Sequence, residues 1–288
     1  ILSFETGPDV TARQVLYEQG GGTRGLNLYL DGGNLYLSRW NLNDDDGSAT
    51  TPWGPSSVST SINPSQAYTA ILTYDADAEE ITGYLDGSSI GTISGPVNLG
   101  KLFSHGGDIG LGGMNNGTYF YDGNPGNGDG FYFGGKILEF LSFNSLLTDV
   151  QKVLIDNYFA SKYGHAPGTE LFTWDATHSY EVFGMGRFNS TSHIISKGTG
   201  LVLIDEPQSL DEGDYLVIGH DNANKDTWTT SDLPAGYTGV ERLEREWIVD
   251  KTNDIGAIRI AIDTSALPAR PAGYDNYGEM FRLLLSYI

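Results

Sequence analysis

Two kinds of residue could do chemistry in this sequence: oxygen-bearing side chains gathered in loops, and aromatic rings beside them. Asp122-Gly123-Asn124-Pro125-Gly126-Asn127-Gly128-Asp129-Gly130 places Asp122, Asn124, Asn127 and Asp129 in one short segment. Calcium takes 6–8 oxygen ligands and tolerates irregular geometry, and glycines let backbone carbonyls turn inward. The spacing is not that of an EF-hand, and no Glu closes it. A solvated turn, using Asn, Asp and Gly for positive φ, is the alternative. Asp44-Asp45-Asp46 is a second acidic group. Three adjacent carboxylates cannot all point one way, so a solvated loop is the preferred reading there.

The aromatic candidates are Trp40, Trp53, Tyr119, Tyr121 and Tyr132, which lie in or beside expected loops. A sugar site on a β-sandwich stacks a ring against the apolar face of the sugar and adds hydrogen bonds from carboxylates or carboxamides. Burial in the core is the competing fate of such rings.

Catalytic arrangements are sparse. Glu212-Gly213-Asp214 begins the E-x-D-x-x-E pattern that sets carboxylates on one strand face, but Val217 stands at its last acidic position. Glu244 and Glu246 share a strand face, yet Arg242 and Arg245 beside them favour ion pairs. No G-x-S-x-G elbow occurs. His105, His165, His178, His193 and His220 lack metal-ligand spacing. Gly20-Gly21-Gly22-Thr23-Arg24-Gly25 contains G-x-G-x-x-G without the helix a dinucleotide site needs, and reads as a hairpin loop. His220-Asp221-Asn222 follows the most apolar strand of the second half, either as a rim cluster or as a polar turn.

The elements that would position these residues are mostly strands. Leu26, Leu28 and Leu30 alternate with other residues, Asp31-Gly32-Gly33-Asn34 turns, and Leu35 and Leu37 resume. Residues 41–66 are polar and read as a long loop. Tyr68–Tyr74, Ile81–Leu85, Ile90–Ile93 and Gly135–Phe143 read as strands. Thr148-Asp149-Val150-Gln151 has capping-box spacing, and Val150, Val153, Leu154 and Tyr158 continue at helical intervals to Gly164. His165-Ala166-Pro167-Gly168 reads as a linker. Beyond it, Leu201–Ile204, Tyr215–Ile218, Arg245–Val249 and Ala257–Ile262 are strand-like.

The 288 residues include 39 Gly and no Cys, with 16 Lys+Arg against 37 Asp+Glu and a net charge of −21. Disulfides, thiolate metal sites and Cys nucleophiles are excluded. So strong an acidity disfavours nucleic acid and anionic membrane as partners. No apolar run reaches the roughly 18 residues of a membrane span. The chain opens on Ile1-Leu2-Ser3-Phe4 and closes on Met280-Phe281-Arg282-Leu283-Leu284-Leu285. Both ends read as cut, and at least one is expected to pair with strands outside this segment.

Arg13-Gln14-Val15-Leu16-Tyr17-Glu18, Gly25-Leu26-Asn27-Leu28-Tyr29-Leu30-Asp31-Gly32-Gly33, Ile81-Thr82-Gly83-Tyr84-Leu85-Asp86-Gly87 and Gly135-Lys136-Ile137-Leu138-Glu139-Phe140 occur in an order that resembles the laminin-G-like, concanavalin-type jelly rolls of large bacterial exoproteins. Tyr180–Arg187 and Gly213–Asn222 resemble a β-rich module that follows such jelly rolls. The resemblance implies a mostly β chain: an antiparallel sandwich over residues 1–165, short of its first strands and carrying one short helix, then a second β-rich domain over 166–288, truncated at its C-terminus. It implies an extracellular, cell-surface setting and a non-catalytic adhesive or structural role. Glycan or protein ligands, other domains or strands of a larger protein, and calcium at a loop rim are its implied partners. A calcium-dependent carbohydrate-binding module and a polysaccharide-degrading enzyme are the alternatives.

Overall fold

The computed structural model describes residues 1–42, 52–95, 99, 104–198, 201–233, 236 and 240–269. The chain divides into two compact units. One holds residues 1–148 and 163–169; the other holds residues 149–162 and those described from 170 onward.

The first unit is a sandwich of antiparallel strands. In chain order these are β1 (Leu2–Glu5), β2 (Gln14–Gly20), β3 (Arg24–Asp31), β4 (Asn34–Asn41), β5 (Trp53–Ser61), β6 (Ala67–Asp75), β7 (Glu80–Leu85), β8 (Ser88–Ser94), β9 (Ile109–Leu111), β10 (Gly117–Tyr119), β11 (Pro125–Asn127) and β12 (Lys136–Phe140). Two five-stranded sheets run β12-β1-β6-β7-β8 and β5-β4-β3-β2-β9, and β10 and β11 form a hairpin. The leucine alternation does what period 2 requires. Leu26, Leu28 and Leu30 join Leu35 and Leu37 in the core with Leu2, Phe4 and Leu16. Asn27, Tyr29 and Tyr36 thereby point to the opposite face.

The expectation of a loop throughout 41–66 is corrected at β5, which pairs with β4 from Asn34↔Ser61 to Asn41↔Trp53. This edge strand sends only Val58 into the main core. Between its buried residues Trp53 and Val58 the strand is Gly, Pro and Ser, the composition of a loop, which hid it. The acidic Asp44-Asp45-Asp46 lies outside the described residues. So does the C-terminal segment expected to pair beyond the chain. At the other end β1 is bonded on both edges, to β6 and to β12.

The second unit contains α1 (Asp149–Tyr163) up to Lys162, α2 (Asp175–His178), β13 (Tyr180–Phe188), β14 (Thr191–His193), β15 (Ile195–Lys197), β16 (Val202–Asp205), β17 (Tyr215–His220), β18 (Trp228–Thr229), β19 (Arg242–Leu243), β20 (Trp247–Thr252), β21 (Arg259–Ile262) and a 3-10 turn (Thr264–Ala266). Sheets run β14-β13-β17-β20 and β15-β16-β21. β17 is buried along its whole length, as a continuous apolar run demands when both faces are covered. Tyr215 and Val217 face Val150, Val153, Leu171 and Phe172. Leu216 and Ile218 face Leu201, Val202 and Ile204. The helix therefore packs with the second unit, not with the sandwich it was expected to close, because its apolar partners come later in the chain. Among the described residues no helix is long and apolar enough to cross a membrane.

Candidate functional site

The outer face of the β5-β4-β3-β2-β9 sheet gathers the polar and aromatic residues that alternation excludes from the core. Tyr29 and Tyr36 are directly opposed on β3 and β4. Their rings stack at 5.0 Å between centroids and 11°. Tyr36 stacks in turn on Tyr121 at 4.4 Å and 11°. The three rings run from a fully buried Tyr29 to a Tyr121 that is 45% exposed. The backbone N–H of Tyr121 donates to the Tyr29 hydroxyl at 2.9 Å, so the base of the stack also holds its tip. Burial raises the Tyr29 hydroxyl far above the ordinary phenol range, which keeps it protonated.

The segment bearing Tyr121 is fastened to the sheet. Asn27 Nδ2 donates to Thr118 Oγ1 and to the Tyr119 carbonyl, both at 2.9 Å. Arg13 donates through Nε and Nη2 to Asp31 at 3.1 and 2.6 Å, and through Nη2 to Asp122 at 2.9 Å. Its guanidinium lies 4.3 Å from the centroid of the Phe120 ring. Desolvation pushes the Asp122 carboxyl up, but hydrogen bonds from Asn124 and Arg13 outweigh it and hold it at about 2.

A second buried polar group lies under the same face. Glu18 is fully buried opposite Asn27. One carboxyl oxygen accepts from the Asn115 N–H at 3.0 Å. The other oxygen has no partner among the described residues, and neither does Asn27 Oδ1. Burial pushes this carboxyl up to about 7.

Of the five aromatic candidates, Tyr121 alone caps the stack. Trp40 is 1% exposed and donates from Nε1 to the Gly21 carbonyl at 2.8 Å. A Cβ on Gly25 would strike its ring, so the sequence clears a seat for it. Trp53 is 7% exposed, packs with Ile81 and Leu99, and has Arg39 over its ring at 5.7 Å. Neither tryptophan offers a face to a ligand, which corrects their assignment. Both lie on strands rather than in loops. Tyr119 is half-buried with its ring 6.3 Å from Trp40. Tyr132 is 71% exposed, on a segment bridged to Val15, which is itself paired with Tyr29, and it is not one of the three stacked rings.

The four oxygen ligands expected for calcium do not converge. β10 and β11 pair from Tyr119↔Pro125 to Gly117↔Asn127. Asp122 and Asn124 sit in the connecting turn, while Asn127 and Asp129 lie at the open end. Three residues of strand rise, roughly 10 Å, separate the two pairs. A calcium shell needs all its ligands within about 2.6 Å of one centre. Asp129 instead accepts from the Asn116 N–H at 3.2 Å.

The acidic clusters of the second half resolve into supports. Glu212 accepts from the Asn189 and Ser190 N–H groups, and Arg242 pairs with Glu246 at 2.7 Å. Asp31 and Asp122 share Arg13 Nη2, close enough to invite comparison with a glycosidase pair, whose carboxyls stand roughly 5–9.5 Å apart. Such a pair needs one carboxyl that keeps its proton near neutrality. Hydrogen bonds from Asn124 and Arg13 hold Asp122 ionised, so it does not supply that proton. Sequence reasoning missed Tyr29, Tyr36, Arg13 and Asp31. The alternating Leu28-Tyr29-Leu30 and Leu35-Tyr36-Leu37 was the signal that two tyrosines share the face opposite the leucines.

Residues 155–282, covering most of the second unit, match a family described as a domain of unknown function (DUF8202). No curated protein matches the chain. Among solved structures the chain is similar to the CBM40 module of the Ruminococcus gnavus IT-sialidase, at 19% identity and a TM-score of 0.39, over 54% of this chain and 79% of that one. The same module bound to α2,3-sialyllactose matches at 17% identity and 0.35, with the same coverage. A leech intramolecular trans-sialidase complexed with 2,7-anhydro-Neu5Ac matches at 14% identity and a TM-score of 0.35, over 76% of this chain and 28% of that one.

Proposed function

We propose that the chain is a non-catalytic saccharide-binding module and that Tyr121 is the ring on which the sugar stacks. The observation that carries this reading is the three-ring stack Tyr29–Tyr36–Tyr121, which leaves one aromatic face at the surface beside a fixed charged group. A stacked ring gives up little conformational freedom on binding, because its orientation is already set. Asp122 and Asn124 beside it supply acceptors and donors for sugar hydroxyls. Calcium has no part in this reading. An exported, surface-bound setting belongs to the same proposal and is supported by the acidic composition and the resemblance to bacterial exoproteins.

The test is a glycan array followed by titration calorimetry, with lactose and α2,3-sialyllactose among the probes. Tyr121→Ala is expected to weaken a positive saccharide by about tenfold or more, the magnitude of a lost aromatic contact with its neighbouring hydrogen bond. Arg13 is already shared by two carboxylates, so lactose is expected to bind at least as tightly as its sialylated form. A folded chain that binds no saccharide, or binds one unchanged after Tyr121→Ala, overturns the assignment.

A further inference from the structure

The second unit carries its own aromatic array, built on a different principle. Tyr180, His220 and Trp247 stand directly opposite one another on β13, β17 and β20. They form one row across the sheet and project to the same face. The Tyr180 and His220 rings are stacked, with centroids 6.0 Å apart and an interplanar angle of 16°. Trp247 meets His220 edge-on at 6.2 Å. His220 is 2% exposed, whereas Tyr180 is 47% exposed and Trp247 is half-buried. Tyr180 therefore reaches solvent on one side of a buried imidazole, while on the other side Trp247 packs in part against the core around Leu216 and Ile218 and keeps the rest of its surface open.

Glu181 follows Tyr180 at an irregularity of the β13–β17 ladder. Its φ of 51° is left-handed, a conformation a non-glycine residue adopts only when its surroundings impose it. His220 is what its carboxylate meets. His220 Nδ1 accepts from the Asn222 N–H at 2.9 Å, so the neutral ring carries its proton on Nε2. Nε2 faces Glu181 Oε2 at 3.0 Å. Burial lowers the His220 pKa, and Arg245 nearby acts in the same direction. Arg245 donates through Nε to the Ala223 carbonyl at 2.9 Å, with Nη1 3.4 Å from His220 Nε2. Glu181 Oε1 and Arg245 Nη2 have no partner among the described residues.

We propose that this rim is a second saccharide-binding site, in which Tyr180 and Trp247 stack against the sugar while Glu181 and Arg245 hydrogen-bond its hydroxyls. A carboxylate that only accepts, beside a guanidinium that only donates, matches a vicinal diol, since each hydroxyl does both. The exposed Tyr180 ring and the open part of the Trp247 ring supply the apolar contact. His220 is a positioning residue: it touches no ligand and fixes the Glu181 carboxylate. The site stands independently of Tyr121.

The experiment uses the full chain carrying Tyr121→Ala, on the same array and by calorimetry against the saccharides it retains. Retained binding that falls about tenfold in Glu181→Gln and in Tyr180→Ala is the expected result, a loss typical of one charge-assisted hydrogen bond. Tyr180 is exposed and Glu181→Gln preserves shape, so both variants should keep the native melting curve. His220→Gln, whose amide can still donate to Glu181, should retain more binding than His220→Ala at equal folded fraction. No saccharide binding in the Tyr121→Ala chain when the native chain binds, or retained binding indifferent to Tyr180 and Glu181, overturns the proposal. Binding that survives Tyr121→Ala in full but vanishes with Glu181→Gln would overturn the Tyr121 assignment and leave this one standing.

Discussion

Each unit buries a titratable group on the face that carries its aromatic stack, Glu18 in one and His220 in the other, and they treat it in opposite ways. In the first unit Glu18 lies under the tyrosine face with one oxygen lacking a partner, and burial pushes it up to about 7. In the second, His220 has both ring nitrogens engaged, and burial lowers its pKa. An acid pushed up and a base pushed down are both driven toward neutrality by the same desolvation. The lesson lies in hydrogen-bond supply. His220 is neutral and fully engaged at once. Glu18 has one carboxyl oxygen with no partner among the described residues, so desolvation acts on it unopposed there and favours the protonated form.

The largest effect that would sharpen this contrast is in pH. The folded pKa of Glu18 lies above its unfolded value, so its contribution to stability is fully present below about 4.5 and is lost as pH rises through about 7. The folded pKa of His220 lies below 6.5, so its contribution is present above 6.5 and is lost as pH falls through the folded value. Glu18→Gln removes the first term, since its amide carries no charge at any pH. By differential scanning calorimetry it should match the native protein at pH 5 and exceed it by about 2 kcal/mol at pH 8. Equal stability of the two proteins at both pH values would break the argument that Glu18 is protonated in the fold.

A smaller effect separates the two ways of presenting a ring. Arg13 ties Asp31, Asp122 and Phe120 together in the first unit, whereas Tyr180 rests on the His220 ring. Arg13→Met leaves two carboxylates facing each other, and urea unfolding should report a loss of about 1–2 kcal/mol. Saccharide binding at Tyr121 should weaken while binding that depends on Glu181 stays constant. A change at both would show that the two sites are not independent. The smallest expected effect is that of calcium. With its four expected ligands split between the two ends of a hairpin, millimolar calcium after chelation should leave the melting temperature unmoved; a rise of several degrees would restore the site.

What was legible in the sequence follows from the range of the interactions involved. Leucine alternation, the Asp-Gly turns and the helical spacing after Thr148 are local signals, and each produced its element. The sandwich class rests on them. β5 was not legible because its two buried residues, Trp53 and Val58, stand five positions apart and leave no alternation. The tryptophans were misplaced because their burial depends on partners far away: Trp53 on Ile81 and Leu99, and Trp40 on Gly21 and on Tyr119 across the sheet. The helix was assigned by adjacency in sequence, whereas its apolar side is completed by Leu171, Phe172 and Val217. In the candidate site Tyr121 was visible as an aromatic beside a polar loop. Arg13 was not, because its partner Asp122 is 109 residues away.

The position of β1 has a consequence for how the sandwich comes to exist during synthesis. Leu2–Glu5 is made before both strands that flank it, β6 and β12, and the later of these ends at Phe140. Once β6 has paired with it, its other edge stays open until Lys136–Phe140 has been made. At about 5–20 residues per second the 61 positions from Ala76 to Lys136 take on the order of several seconds. Contacts of such long range also slow folding. Throughout that interval an apolar strand, with Leu2 and Phe4 destined for the core, presents unpaired backbone to any neighbouring nascent chain. The yield of folded protein should therefore depend on what meets that edge before β12 does.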